Sequence, residues 1–338
     1  MKNKILQQVN LEKYNTFGIK ISASSFINVD SEEVLHFLYK NKKFDFPFFI
    51  LGQGSNVLFT KNYTGLIIHM ANKGIQHFIE GNQVFITAAA GEIWNDLVWY
   101  CVDHDFSGLE NMALIPGTVG ASPIQNIGAY GQELMNILYS LRAFDTLSGE
   151  CVTFSNEECQ FSYRDSIFKN RYKGRYIILS VTYQLPLENT LNTSYGAIEA
   201  ELKKRGILNP TIKDVAEIVS LIRVEKLPDP STIGNAGSFF KNPIINEVDF
   251  LALKEKFPTI VSYPMGNGLI KLAAAWLIET CGWKGKTVGE VKVWKNQALV
   301  LTNLGKATGN DIYNVSSTIV DDVQNMFGVT LEREVNIL

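Results

Sequence analysis

Apolar residues recur along the chain at two periods. At helical spacing they fall at Val34, Leu35, Leu38 and Tyr39, at Ile93, Leu97, Val98 and Cys101, at Ile212, Val215, Ile218, Val219 and Ile222, and at Ile312, Val315, Ile319, Val323 and Met326. Asp30 and Glu33 form a capping signal for the first of these, and Thr308 with Asp311 resembles a capping box for the last, with Gly328 as its stop. The third ends before Lys226-Leu227-Pro228-Asp229-Pro230, because the prolines cannot continue it. Residues 269–281 read as one buried helix stopped by Gly282. Shorter apolar runs predict strands at 48–51, 65–70, 84–88, 176–185 and 298–301, with two more around the turn Leu147-Ser148-Gly149-Glu150. Asn15-Thr16-Phe17-Gly18-Ile19 is a short turn. At 338 residues the chain exceeds one typical core. The polar stretch 186–194 is the best boundary, which divides the chain into 1–190 and 191–338.

The stretch 108–131 follows neither period. It has glycines at 108, 117, 120, 128 and 131, prolines at 116 and 123, and neutral hydrogen-bonding residues at Thr118, Ser122, Gln125 and Asn126. Such a loop can present backbone N–H groups to an anion or a planar ring. Its apolar residues, Leu109, Met112, Leu114, Ile115, Val119, Ile124 and Ile127, set it apart from a disordered segment; a long surface loop is the alternative. The predicted strand 48–51 runs into Gly52-Gln53-Gly54-Ser55-Asn56-Val57-Leu58, a phosphate-loop candidate or a hairpin turn. It is not the dinucleotide fingerprint, since position 57 is Val and no helix clearly follows. Gly285-Lys286-Thr287 lacks the earlier glycine of a nucleotide P-loop, which would fall at Thr280. The first-half loops carry no lysine, so backbone N–H groups would have to hold phosphates there. A further glycine cluster lies at 234–243.

A formal charge of −3 gives no basic footprint for nucleic acid, and no apolar run reaches membrane-spanning length. The opening Met1-Lys2-Asn3-Lys4-Ile5-Leu6-Gln7-Gln8 lacks the apolar core of a signal peptide, so a cytoplasmic protein is expected. Cys101, Cys151, Cys159 and Cys281 form no C-x-x-C pair; they are expected to be reduced and partly buried, with no metal site. Among the histidines, His36 on a helix and His69 at a strand end have ordinary structural explanations. Three polar residues stand out. Arg164 follows Tyr163 in a compact polar run, or is a surface ion-pair partner. Ser238 sits between Gly237 and Phe239, or is a turn serine. Glu334 lies between Arg333 and Val335, or is a solvated edge carboxylate. No spacing shows that the three meet.

Six motifs occur in order: Asn15-Thr16-Phe17-Gly18, Gly52-Gln53-Gly54-Ser55-Asn56-Val57-Leu58, Ile115-Pro116-Gly117-Thr118-Val119-Gly120-Ala121, Tyr163-Arg164-Asp165-Ser166, Gly234-Asn235-Ala236-Gly237-Ser238-Phe239-Phe240-Lys241-Asn242-Pro243 and Leu331-Glu332-Arg333-Glu334-Val335. Together they resemble the UDP-N-acetylenolpyruvoylglucosamine reductase (MurB) family, type I, over nearly the whole chain. The resemblance implies an α+β fold, with a two-lobed FAD-binding N-terminal domain of the PCMH/MurB-like kind at 1–190 and an α+β C-terminal substrate domain with a catalytic tail at 191–338. It implies non-covalent FAD held by Gly52, Gly54, Ser55, Asn56, Val57, Leu58, Pro116, Gly117, Thr118, Gly120, Ala121, Gln125, Asn126, Gly128 and Ala129. NADPH would reduce the flavin and leave, UDP-N-acetylenolpyruvoylglucosamine would take its place, and flavin N5 would give a hydride to substrate C3. Ser238 would protonate C2, Arg164 would stabilise the enolate, and Glu334 would bind near the substrate carboxylate. Tyr195, Lys226, Asn242 and Gln297 match UDP-sugar contacts, and Gln53 stands where many members carry another glycine. A monomer is expected. A flavin oxidase of the same superfamily, or a nucleotide-sugar-binding protein without catalysis, are the competing readings.

Overall fold

In a computed structural model the chain is described over residues 4–188 and 190–338. Met1–Asn3 of the stretch read for a leader, and Asn189 of the expected 186–194 boundary, lie outside the described residues. The described chain forms two compact units, each built from separated segments. The first takes the residues up to Val9, Ala23–Gln53 and Thr64–Arg223; the second takes Asn10–Ser22, Gly54–Tyr63 and Val224–Leu338.

The first unit holds two sheets. One has the order Leu6–Asn10, Ser22–Val29, Tyr63–Met70, Phe48–Leu51, with its last pair parallel and Leu51 opposite His69. The other is antiparallel, in the order Cys151–Ser155, Leu138–Asp145, Tyr176–Pro186, Gln83–Ala89, Ile75–Glu80. Its central strand buries Val181, Tyr183 and Leu185 on one face, the alternation expected where a sheet covers a core. Trp94 opens the helix Trp94–Asp103 and packs edge-on to Tyr183 at 6.0 Å, while its indole N–H donates to the Met112 carbonyl at 3.0 Å. The helices Glu32–Lys40, Gly196–Arg205 and most of Ile212–Lys226 complete this unit. Ile198, Leu202, Val215 and Val219 belong to its core, so residues 191–223 pack with the first unit and not with the C-terminal part as the 190/191 division expected.

The second unit has a four-stranded sheet, Gly234–Ser238, Val300–Asn303, Val291–Val293, Thr287–Val288, and a three-stranded one, Ile244–Asn246, Leu269–Leu272, Ser262–Gly266. The helix Gly309–Phe327 begins at Thr308 with a full capping box to Asp311 and ends at Gly328, as its sequence predicts. Residues 269–281 do not form one helix. Leu269–Leu272 is a strand with Ile270 and Leu272 buried and Leu269 exposed, and the helix is confined to Ala274–Thr280. A short apolar run does not separate the two periods by itself. Other boundaries differ less. The helix Glu32–Lys40 is capped at Ser31 with no side-chain bond, so Asp30 is not its cap. Ile212–Lys226 keeps Lys226 inside its last turn, and the strand expected at 298–301 is Val300–Asn303. The glycine cluster at 234 begins with a sheet strand, Gly234–Ser238.

Candidate functional site

In the first unit the 108–131 stretch is laid against the entrance of the helix Trp94–Asp103. Gly120 N–H donates to the Ala90 carbonyl and Val119 N–H to that of Glu92, both at 2.9 Å, and Trp94 N–H donates to Gly117 at 3.0 Å. A β-carbon on Gly120 would lie 2.5 Å from that of Ala90, which is why only glycine lets the two backbones close up. Glu110 is buried beneath the loop and its carboxylate accepts Gly108 N–H at 2.6 Å; burial pushes this carboxyl above its usual range. The two glycine loops meet at their ends. The Gln53 side-chain oxygen accepts Gly117 N–H at 2.8 Å, and Gly52 packs on Thr118 so closely that a β-carbon would sit 2.4 Å from its hydroxyl. Gln53, where many members carry another glycine, is thus a tie between loops. The backbone N–H groups of Gln53, Ser55 and Thr118 have no acceptor among the described residues. Uncharged, small residues whose N–H groups are not spent inside the protein are suited to a diphosphate and a flat ring.

Asn126 contributes differently from expectation. It is fully buried, its side-chain amide donates to Glu133 and to the Ser162 carbonyl, both at 3.0 Å, and its oxygen accepts Met135 N–H at 2.9 Å. That amide is committed to the loop, and only its main chain faces other groups. Arg164 uses that main chain: Nη2 donates to Gly128 O at 2.7 Å and Nη1 to Asn126 O at 3.3 Å. Arg164 itself has φ +54°, a strained position for a non-glycine residue, and its carbonyl accepts Lys169 Nζ at 3.1 Å. Tyr195, half exposed, stands at the start of the helix Gly196–Arg205 with its ring 5.2 Å from that of Tyr130. The first unit therefore gathers Gly52, the 116–129 residues, Arg164 and Tyr195.

The second unit gathers another set. Val57–Leu58 pairs in parallel with Asn336–Ile337 of the tail. Asn56 Nδ2 donates to Glu334 O at 3.3 Å, and Asn56 O accepts Asn336 N–H at 3.1 Å. Glu334 N–H donates to Phe239 O at 2.8 Å, which sets it beside the residue that follows Ser238. Ser238 lies opposite Val300 after a bulge, with Gly237 at φ +66° and its N–H held by Asn235 Oδ1 at 3.0 Å. Gly54, at φ +68°, is pressed on Tyr14, where a β-carbon would fall 2.0 Å from the carbonyl. Asn296 Nδ2 donates to Glu225 O at 2.8 Å, joining the turn before Val300–Asn303, which bears Gln297, to the helix end that bears Lys226. Asn242 spends its side-chain oxygen on Ala274 N–H at 2.9 Å, at the start of a helix.

Comparison with known proteins then decides the family. A curated protein from Flavobacterium johnsoniae named UDP-N-acetylenolpyruvoylglucosamine reductase is 48% identical over 337 residues, 99% of this chain and 100% of its own length. The chain belongs to the UDP-N-acetylenolpyruvoylglucosamine reductase family. A member from Pseudomonas fluorescens is 44% identical over 338 residues, 99% of each chain. The model of an FAD binding domain matches residues 26–155, and that of the UDP-N-acetylenolpyruvoylglucosamine reductase C-terminal domain matches residues 229–338. The solved reductase (MurB) of Thermus caldophilus shares the fold, with a TM-score of 0.68 at 23% identity, covering 99% of this chain and 98% of its own. Arg164, Tyr195 and Lys226 fall between the two matched segments.

One residue with a place in the first unit was not read from the sequence. Arg223 follows buried Ile222 on the helix Ile212–Lys226 and its Nε donates to Leu114 O at 3.2 Å. A guanidinium directly after the last residue of an apolar helical face was the available signal.

Proposed function

We propose that the chain is an FAD-dependent reductase that converts UDP-N-acetylenolpyruvoylglucosamine to UDP-N-acetylmuramate, with NADPH as reductant, in the synthesis of peptidoglycan precursor. Its full-length identity to reductases of this family carries the reading, and it disfavours both a flavin oxidase and a binding protein without catalysis. The first unit, with Gly52, Pro116, Gly117, Thr118, Gly120, Ala121, Gln125, Asn126, Gly128 and Ala129, and the loop Gly54, Ser55, Asn56, Val57 and Leu58 are the residues we assign to FAD. The support is the set of backbone N–H groups in these uncharged loops that have no acceptor among the described residues.

Bound FAD supplies the hydride for substrate C3. Ser238 Oγ gives a proton to C2 from the bulge at Gly237, where the chain has room for a ligand to approach. Arg164 offsets the enolate with the positive charge of its guanidinium. Its guanidinium is held by two carbonyls, so little reorganisation is needed when charge develops. Glu334, fixed through its own main chain to Phe239 and Asn56, acts beside the substrate carboxylate. Lys226 serves the diphosphate as a point charge, with Gln297, Asn242 and Tyr195 as neutral partners of the UDP-sugar. We assign the chain a cytoplasmic location and a monomeric state as parts of the same reading. No helix of the described residues is long and apolar enough to cross a membrane.

The test is the absorption spectrum of the purified protein under anaerobic conditions. A flavin spectrum that bleaches with NADPH and returns with UDP-N-acetylenolpyruvoylglucosamine is expected. Recovery with oxygen alone would favour an oxidase, and a colourless protein that cannot be loaded with FAD would defeat the reading.

A further inference from the structure

Of the motif Tyr163-Arg164-Asp165-Ser166, the steps above use Arg164 and leave the serine without a part. Arg164 stands inside a closed turn: Ser162 N–H donates to Asp165 O at 3.1 Å, and Asp165 N–H to Ser162 O at 3.2 Å. Its φ of +54° is a backbone that a non-glycine residue keeps only where the surroundings over-determine it. Much of what surrounds this turn is the 124–128 strip of the long loop. On one side of the turn, Asn126 Nδ2 donates to Ser162 O at 3.0 Å. On the other, the Ser166 hydroxyl donates to Ile124 O at 2.7 Å and accepts Phe168 N–H at 3.2 Å, in a position only 2% exposed. Between these ties the Arg164 guanidinium reaches back to the same strip, at Asn126 O and Gly128 O. All of these residues belong to the first unit.

The guanidinium bonds main-chain carbonyls of the strip, so its place is defined only as well as the turn is fixed to the strip. Asn126 cannot be separated from the flavin residues, since it is one of those assigned to FAD. Ser166 is not assigned to FAD, carries no charge, and is two residues from Arg164.

We propose that Ser166 is a positioning residue for substrate reduction. Its hydroxyl, bound to Ile124 O, holds the strained turn against the flavin loop and so sets where the Arg164 guanidinium stands when negative charge develops on the substrate. This rests on the reductase reading above. A fixed charge stabilises a developing one most when nothing has to reorganise during the step. Reduction of the flavin by NADPH forms no enolate, so that half-reaction does not draw on the placement.

Stopped-flow measurement of the two half-reactions on the flavin-loaded protein tests this. Ser166→Ala is expected to slow reoxidation by UDP-N-acetylenolpyruvoylglucosamine by roughly 10- to 100-fold, the scale of a small misplacement, and to leave reduction by NADPH within about twofold. The decisive comparison is a double-mutant cycle. In an Arg164→Ala background, with the slow reoxidation followed long enough to register a further loss, Ser166→Ala should change the rate by less than about twofold, because the group it positions is gone. Flavin content, flavin spectrum and melting temperature report folding. If Ser166→Ala does not retain flavin, Ser166→Cys, close in size and a weaker donor, takes its place in both arms. Unchanged reoxidation, or equal losses in both half-reactions, would overturn the proposal, the latter by assigning Ser166 to the flavin loop as a whole. So would a loss that multiplies the loss of Arg164→Ala, since Ser166 would then act without Arg164. A wild-type protein whose reduced flavin is not reoxidised by the substrate would instead defeat the reductase reading, and the proposal with it.

Discussion

Ser238 is held by its neighbours more than by its own side chain: the bulge, the positive φ of Gly237 and the Asn235 bond fix where its hydroxyl stands. Ser238→Ala should leave flavin reduction by NADPH near normal and slow reoxidation by substrate by a factor of roughly 10² or more, the scale of a lost general acid. Stopped-flow measurement of the two half-reactions checks this, and an equal fall in both would point to a folding or flavin-binding defect. A second residue-scale expectation concerns stability. Asp145 is buried and receives Arg175 through two bonds, Nη2 to Oδ2 at 2.7 Å and Nε to Oδ1 at 3.1 Å. The Arg175 bonds hold its carboxyl below the usual range, so its stabilising contribution is present above the unfolded pKa and is lost as pH falls through the folded one. Asp145→Asn should lower the urea midpoint at neutral pH, and the gap should close below about pH 4. At this scale the sequence named Arg164, Ser238 and Glu334 by motif alone. It could not show that Asn126 spends its amide internally or that Gln53 bridges two loops, because both facts depend on partners 7 to 64 residues away.

Elements were legible where a local signal agreed with a tertiary one. Thr308, Asp311 and Gly328 bracket an apolar stripe, and the helix Gly309–Phe327 follows them. Thr308→Ala should cost about 1 kcal/mol in urea unfolding, by loss of the cap. Where the local signal was absent, the reading failed. Gly234–Ser238 has none of the β-branched residues that mark strands; it is a strand because Gly234 and Asn235 find partners at Asn303 and Thr302. Ile75–Glu80 is an exposed edge strand and offered no buried run to notice. Glycine substitutions separate two kinds of constraint in the loops. Gly54→Ala combines a left-handed φ with a β-carbon driven into the Tyr14 carbonyl, and should give protein that does not retain flavin. Gly237→Ala has the same sign of φ but open space, and should fold with a loss of about 1 kcal/mol, read from its denaturation midpoint.

For the whole molecule, the cysteines give a global expectation. Cys101 and Cys159 are buried and Cys151 and Cys281 partly so; burial pushes all four thiols up, Cys159 to about 12 and Cys151 to about 11. Thiolate is the reactive form. The folded protein should therefore react slowly with a thiol reagent at pH 8, release its full thiol count only in denaturant, and show the same activity with or without reductant.

The route of the chain has a consequence for biosynthesis. The Phe17 carbonyl accepts Asn303 Nδ2 at 2.9 Å, and Asn235 N–H donates to Thr16 O at 3.0 Å. The turn at Asn15–Ile19 leaves the ribosome long before either partner exists. At roughly 5–20 residues per second, it waits tens of seconds for the strand Val300–Asn303. Throughout that interval Phe17 and Ile19, which end up buried, lack much of their native cover, and they are surfaces a chaperone would meet. A C-terminal fragment made alone would inherit the complementary defect: residues 224–338 would carry a sheet edge and a glycine at 234 shaped for a segment some two hundred residues upstream that is no longer attached.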